Sequence, residues 1–140
     1  MEMAMKYLGL GYYNRRAVEA LGPDGLAAVM QQCEPHMAVI AALPQLELHA
    51  GLAERTRQIL RTGKVVKVID GPYAEAKELV GAVLLIEAGS FDEAVRIAQL
   101  HPTTQVSAGE ALGWRMEVHP VHFLNGASLP TEEGQASKAA

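Results

Sequence analysis

The run Val80–Glu87 constrains the fold more than any other stretch of the chain. Side chains alternate along a strand, so Val80, Ala82, Leu84 and Ile86 share one face and Gly81, Val83 and Leu85 the other. An antiparallel sheet normally keeps one face wet. Here both faces are apolar, and each needs cover. The chain is 140 residues long, enough for a single domain with a proper core.

The remaining elements can be read around that strand. Met5 to Leu10 alternates as a first strand, and Gly11 to Leu21, with Arg15 and Arg16, reads as a polar loop. Gly22-Pro23-Asp24-Gly25 reads as a helix start, because Pro23 fits a first turn and Asp24 suits the positive end of the dipole. Leu26, Val29, Met30, Cys33, Met37 and Ile40 then fall on one helical face, and Pro35 predicts a kink within it. Gln45 to Ala50 alternates as a strand, with Leu46, Leu48 and Ala50 on one face and Gln45, Glu47 and His49 on the other. Arg55 to Leu60 and Lys64 to Ile69 flank Arg61-Thr62-Gly63 as a hairpin.

Ser90-Phe91-Asp92-Glu93 is a capping box that opens a second helix, and Pro102 stops that helix at His101. Thr103 to Ala111 is a loop of small residues, and Leu112 to His119 is the last strand. One domain over residues 1–124 is expected, with Asn125 to Ala140 a flexible tail. The order β, α, β, hairpin, β, α, β is an α+β plan: a ferredoxin-like split βαβ with an added hairpin. Two helices cover only one face of such a sheet. A second copy, packed sheet against sheet, is the expected cover for the other, so a homodimer is predicted.

Composition narrows the function classes. With 12 Lys and Arg against 16 Asp and Glu, the net charge is −4. No run of basic residues stands out, which argues against nucleic acid as a partner. One cysteine, Cys33, rules out a disulfide framework and falls on the apolar helix stripe. No segment is apolar and long enough to span a membrane, and the N-terminus lacks a leader pattern, so the expected location is the cytoplasm.

The segment Asp70-Gly71-Pro72-Tyr73-Ala74-Glu75-Ala76-Lys77-Glu78 carries the family signal. It resembles the signature of the YCII-related family, and within it the DGPF-domain proteins, whose motif reads Asp-Gly-Pro-Phe followed by Ala-Glu-Thr-Lys-Glu. This chain departs from the motif at Tyr73 and Ala76. Met5-Lys6-Tyr7, Gly81, Phe91-Asp92-Glu93-Ala94, His101-Pro102 and Glu117-Val118-His119-Pro120-Val121 are similar too. The resemblance implies a ferredoxin-like fold forming a dimeric α+β barrel. It also implies a regulatory association with extracytoplasmic-function sigma factors, and in YCII-like relatives an active pair made of a histidine on the first helix and a nearby aspartate. His36 stands where that histidine would fall. Ala41-Ala42-Leu43-Pro44 stands where the aspartate would be, without a carboxylate.

The candidate site residues follow from these two readings. His36, Asp70 and His101 are the candidate catalytic groups. A histidine near its ordinary pKa can serve as general acid or base, although His101 at a helix C-terminus is also explained by the dipole, which favours its cation. Tyr73, Glu75, Lys77 and Glu78 are candidate ligand-binding residues, or else a solvated turn in which Asp70 accepts backbone N–H bonds. His49, His119 and His122 show no metal spacing, and no phosphate-binding glycine loop or nucleophile elbow occurs, so no metal and no cofactor is expected. Two functions fit: a small dimeric binding or regulatory module that holds a small molecule or a protein partner, or a cofactor-independent lyase, isomerase or hydrolase using His36 or His101 with Asp70.

Overall fold

A computed structural model describes residues 5–73 and 75–132. Eight strands and three helices follow in the order β1 (Met5–Asn14), α1 (Arg15–Ala41), β2 (Leu46–Gly51), β3 (Thr56–Thr62), β4 (Val65–Gly71), β5 (Glu78–Ala88), α2 (Phe91–Ala98), α3 (Pro102–Gln105), β6 (Arg115–Pro120), β7 (Phe123–Leu124) and β8 (Ala127–Ser128). The main sheet has the order β2-β5-β1-β6, with every neighbouring pair antiparallel. This is the ferredoxin-like α+β arrangement expected. Among the described residues strands β3 and β4 pair only with each other, as the added hairpin.

One face of the sheet carries a hydrophobic core. Tyr7 of β1, Leu84, Ile86 and Ala88 of β5 and Ile40 of α1 pack with Ala94, Ile97 and Ala98 of α2. Helix α2 is held at its start as its capping box dictates, with the Glu93 N–H donating to Ser90 Oγ at 3.0 Å. A second cluster joins Val29 and Cys33 of α1 to Val106 and Leu112 near α3. On the opposite face, Leu8, Leu10, Val83 and Leu85 are only half-buried.

Several local readings are corrected. The segment Gly11–Leu21 is not a loop: β1 runs on to Asn14, whose side chain caps α1 by accepting from the Ala17 N–H at 2.9 Å. Ala17, Val18 and Leu21 then pack on the second cluster. The helix breaks at Gly22, with φ 71° and ψ 174°, and restarts at Pro23, whereas Pro35 keeps helical dihedrals. Residues Thr103–Ala111 form α3 and a short 3-10 turn, Ser107–Gly109. Leu112 is buried ahead of the last strand, which begins at Arg115.

Asn125 and Gly126, with φ of 52° and 81°, turn the chain into the β7–β8 hairpin, so the segment expected as a tail opens with paired backbone. Glu132 also accepts from the Phe91 N–H at the start of α2. The rest of that segment lies outside the described residues. No helix among the described residues is long and apolar enough to cross a membrane.

Candidate functional site

A cavity of about 500 Å³ lies between α1 and the sheet. Its floor is made of small residues from three adjacent strands: Gly11 of β1, Gly51 of β2, and Gly81 and Ala82 of β5. A Cβ at Gly51 would meet nothing closer than the Gly81 carbonyl oxygen at 4.0 Å, so this glycine leaves open space. A Cβ at Gly81 would lie 2.9 Å from Tyr13 Cδ1. Gly81 has no register partner on β1, where the pairing shifts between Gly11 and Tyr12, and the bulge brings the Tyr13 ring against it. Leu26, Met30, Cys33 and Met37 of α1 form the roof, and Trp114 closes part of the wall.

Polar groups gather at two places in this apolar chamber. At one, His49 Nε2 of β2 lies 3.1 Å from His101 Nε2, with the rings meeting edge to face. His101 is 6% exposed and caps α3, its Nδ1 accepting from the Thr103 N–H at 3.1 Å. A backbone N–H can only donate, so Nδ1 is unprotonated and the ring proton of neutral His101 sits on Nε2. That proton is donated to His49 Nε2, which leaves the His49 proton on Nδ1. Burial, then the neighbouring His49, pushes His101 from 6.5 down to about 4, and burial lowers His49 as well. The dipole argument for a cationic His101 is therefore overturned: the side chain faces the start of a helix, not the end of one.

The second polar group centres on Arg15, whose Nε lies 3.4 Å from Glu19 Oε1 and 3.6 Å from Glu54 Oε1. Burial, then Glu54, raises the Tyr13 phenol beside it, and burial raises the Cys33 thiol. Near neutral pH the chamber thus holds two neutral imidazoles, a neutral phenol and a neutral thiol, and Arg15, Glu54 and Glu34 complete its polar lining.

The candidate residues named from sequence are spread out. His101 lines the cavity; His36 is half-buried on α1 but does not line it, and Cys33, Glu34 and Met37 do. Asp70 stands exposed on β4, paired with Arg57 at 3.3 Å. Within one chain it shares no cavity with His101, because the hairpin carries it off the sheet. Tyr73 is exposed and lines a separate cleft at the hairpin base with Gln58, Pro72 and Leu79. Glu75 sits in an exposed turn, where the Ala76 N–H donates to the Tyr73 carbonyl at 3.0 Å. The Lys77 carbonyl accepts from the Arg15 N–H at 3.0 Å and so braces the start of α1.

Glu78 gives both carboxylate oxygens to Arg115, at 2.8 and 3.0 Å, and Arg115 lies over the Tyr12 ring at 4.2 Å. That set belongs to the far face of the sheet. His119 also lies there, 2.8 Å from Glu117, and His122 stacks on Phe123. Among the described residues, no group of three or more His, Cys, Asp and Glu is arranged to hold a metal ion.

Sequence reasoning missed His49, Tyr13, Arg15 and Trp114 as site residues. His49 had been set on a polar face with Glu47, but the β2–β5 register shifts between Leu46 and Leu48. That bulge turns Leu48 and Ala50 outward and brings Leu46 and His49 to the helix side.

No curated protein matches the chain. The model of the YCII-related domain matches residues 5–113, from the first strand through the His101 turn to Gly113, and on that match the chain belongs to the YCII-related family.

Proposed function

We propose that the chain is a small dimeric ligand-binding module, holding a compact, largely apolar molecule with one polar group between α1 and the sheet. The carrying observation is the neutral His49–His101 pair set into the wall of a mostly apolar cavity of about 500 Å³. Chambers of this size, with few and convergent polar groups, suit small molecules. Among the described residues His49 Nδ1 has no partner, and it can donate to a ligand oxygen. Occupancy would then be the input to any regulatory role beside sigma factors. A second copy, covering Leu8, Leu10, Val83 and Leu85 sheet against sheet, completes the dimeric α+β barrel in this reading.

Trp114 is the sole tryptophan and lines the cavity, so its fluorescence is a built-in reporter. The test is a titration with medium-chain fatty acids, phenols and aromatic ketones. A saturable Trp114 response, weakened about tenfold or more by His49→Phe, supports the site (about 1.4 kcal/mol, one hydrogen bond). No saturable response from any class, or hits indifferent to His49→Phe, would sink it.

A second reading, a cofactor-independent acid–base enzyme, is favoured by the proton held between two imidazoles, which can shift when a substrate arrives. His101, at about 4, is a weak base for work near neutral pH. Asp70, the carboxylate proposed to assist it, stands on the hairpin.

A further inference from the structure

The β3–β4 hairpin is both an exposed apolar surface and the basic part of the molecule. Directly paired residues share a face of a two-stranded ribbon, so the register sets Arg57–Asp70, Ile59–Val68 and Arg61–Val66 on one side. On that side Ile59 is 72% exposed, Val68 61% and Val66 59%. The span Arg55–Asp70 holds five of the chain's 12 Lys and Arg but one of its 16 Asp and Glu. It therefore carries +4 on a chain of −4, which leaves −8 for the remainder. Strand alternation spreads these bases so that no run marks them in the sequence, and the fold collects them. A ribbon of this kind, open to water on both sides, is marginal by itself and marks a docking element.

Its complement is on the same chain. Along the outer edge of the cavity, α1 presents Leu26, Met30, Glu34 and Met37 at steps of four and three. Met30 and Met37 are exposed, and Glu34 between them has no ion-pair partner among the described residues. This edge is apolar and acidic where the ribbon is apolar and basic. The chain's own ribbon does not cover it, since Ile59 and Val68 stay open to solvent. A polyanion would meet the arginines but leave the β-branched strip uncovered.

We propose that the β3–β4 ribbon of a second copy lies across this edge of α1, with Ile59 and Val68 on Met30 and Met37 and a ribbon arginine on Glu34, closing the His49–His101 cavity in trans. The proposal rests on the homodimer reading above, although sheet-to-sheet pairing does not itself require the ribbon to dock.

The test is a mixing experiment on the full chain in a Cys33→Ala background. Chains carrying Val68→Cys are mixed with chains carrying Met37→Cys and oxidised mildly. A disulfide-linked dimer is expected at several times the yield of Val68→Cys mixed with His119→Cys, a position on the far face. Arg57→Glu with Arg61→Glu in the ribbon should cut that yield at least fivefold, and Glu34→Arg in the partner should restore it. Val66→Cys repeats the test should Val68→Cys fail to fold. Three results overturn the proposal: no link between folded chains, a chain with both cysteines closing on itself as a monomer, or wild type holding a short DNA duplex through Arg57 and Arg61. A dimer by light scattering without the link rejects the docked ribbon alone; a monomer at all concentrations rejects the dimer as well.

Discussion

His101 Nε2 and His49 Nε2 lie 3.1 Å apart although the residues are 52 positions apart in sequence. Their contact ties the turn between α2 and α3 to β2, and one proton serves both nitrogens. Both nitrogens can be protonated at once only at the expense of that bond, because two N–H groups cannot face each other at this distance. Burial and mutual repulsion act in the same direction. The pair is consequently a neutral, oriented hydrogen-bonding device in a chamber whose other walls are mostly hydrocarbon.

Stability should fall in mild acid, and His101 fixes the window. Its folded pKa of about 4 lies below the ordinary 6.5. The unfolded chain then binds the proton more readily, so stability is complete above about pH 6.5, declines as pH falls toward 4, and is lost through that range. The size of the shift makes this about 3 kcal/mol, with His49 acting in the same sense. Urea titrations at pH 7 and pH 4.5 should show the difference. His101→Phe, if it folds, should flatten most of it; an unchanged slope in that variant would assign the acid sensitivity elsewhere.

Gly51→Leu should fill the cavity at little cost to the fold. The new Cβ meets no atom closer than 4.0 Å, and the chain continues into the chamber. We expect melting within about 1 °C to 2 °C of wild type, in keeping with a change of about 0.5 kcal/mol or less, together with loss of any saturable Trp114 response. A variant that melts normally and still binds would mean that ligands enter elsewhere.

The α+β order and the strand cores were legible because Met5–Leu10 and Val80–Glu87 carry unbroken alternation and Ser90–Glu93 carries a capping box. The site was much less so. His49 reaches the cavity through a bulge at Glu47, and a one-residue slip reverses every side chain beyond it without leaving a mark on the pattern. Arg15 and Tyr13 were hidden in a stretch that looked polar, although Asn14 followed by Ala17, Val18 and Leu21 offered both a cap and a helical apolar spacing. Asn125-Gly126 is the strongest short hairpin signal, and it opens the segment whose small, aperiodic composition predicts a tail. The Asp70–Glu78 motif drew attention as a unit, yet its residues serve a hairpin base, a brace for α1 and an ion pair on the far face.

Asp70→Asn and His101→Gln should separate the motif from the cavity. Asp70 is exposed and, among the described residues, pairs only with an exposed arginine, an interaction of little consequence for stability. We expect Asp70→Asn to melt and to bind cavity ligands as wild type does, and His101→Gln to weaken those ligands. Equal loss of ligand affinity in both variants would place Asp70 at the cavity, delivered by another chain.

Gly81 should prove to be the residue that lets Tyr13 stand in the chamber. A Cβ at this position would sit 2.9 Å from Cδ1 of the Tyr13 ring, closer than real Cβ contacts come, and a tight 3.1 Å from Cε1. The contact falls on the body of the ring, so a small rotation of the hydroxyl end gives no relief. Gly81→Ala should therefore cost about 1–3 kcal/mol, the usual range for overpacking. In a Tyr13→Ala background the same substitution meets empty space, and its cost should fall to about 0.5 kcal/mol or less, so that the two changes couple strongly. A double-mutant cycle by urea unfolding measures this directly. Additive costs would show that Gly81 is needed for the backbone of the bulge itself, and that the Tyr13 ring merely occupies the space beside it.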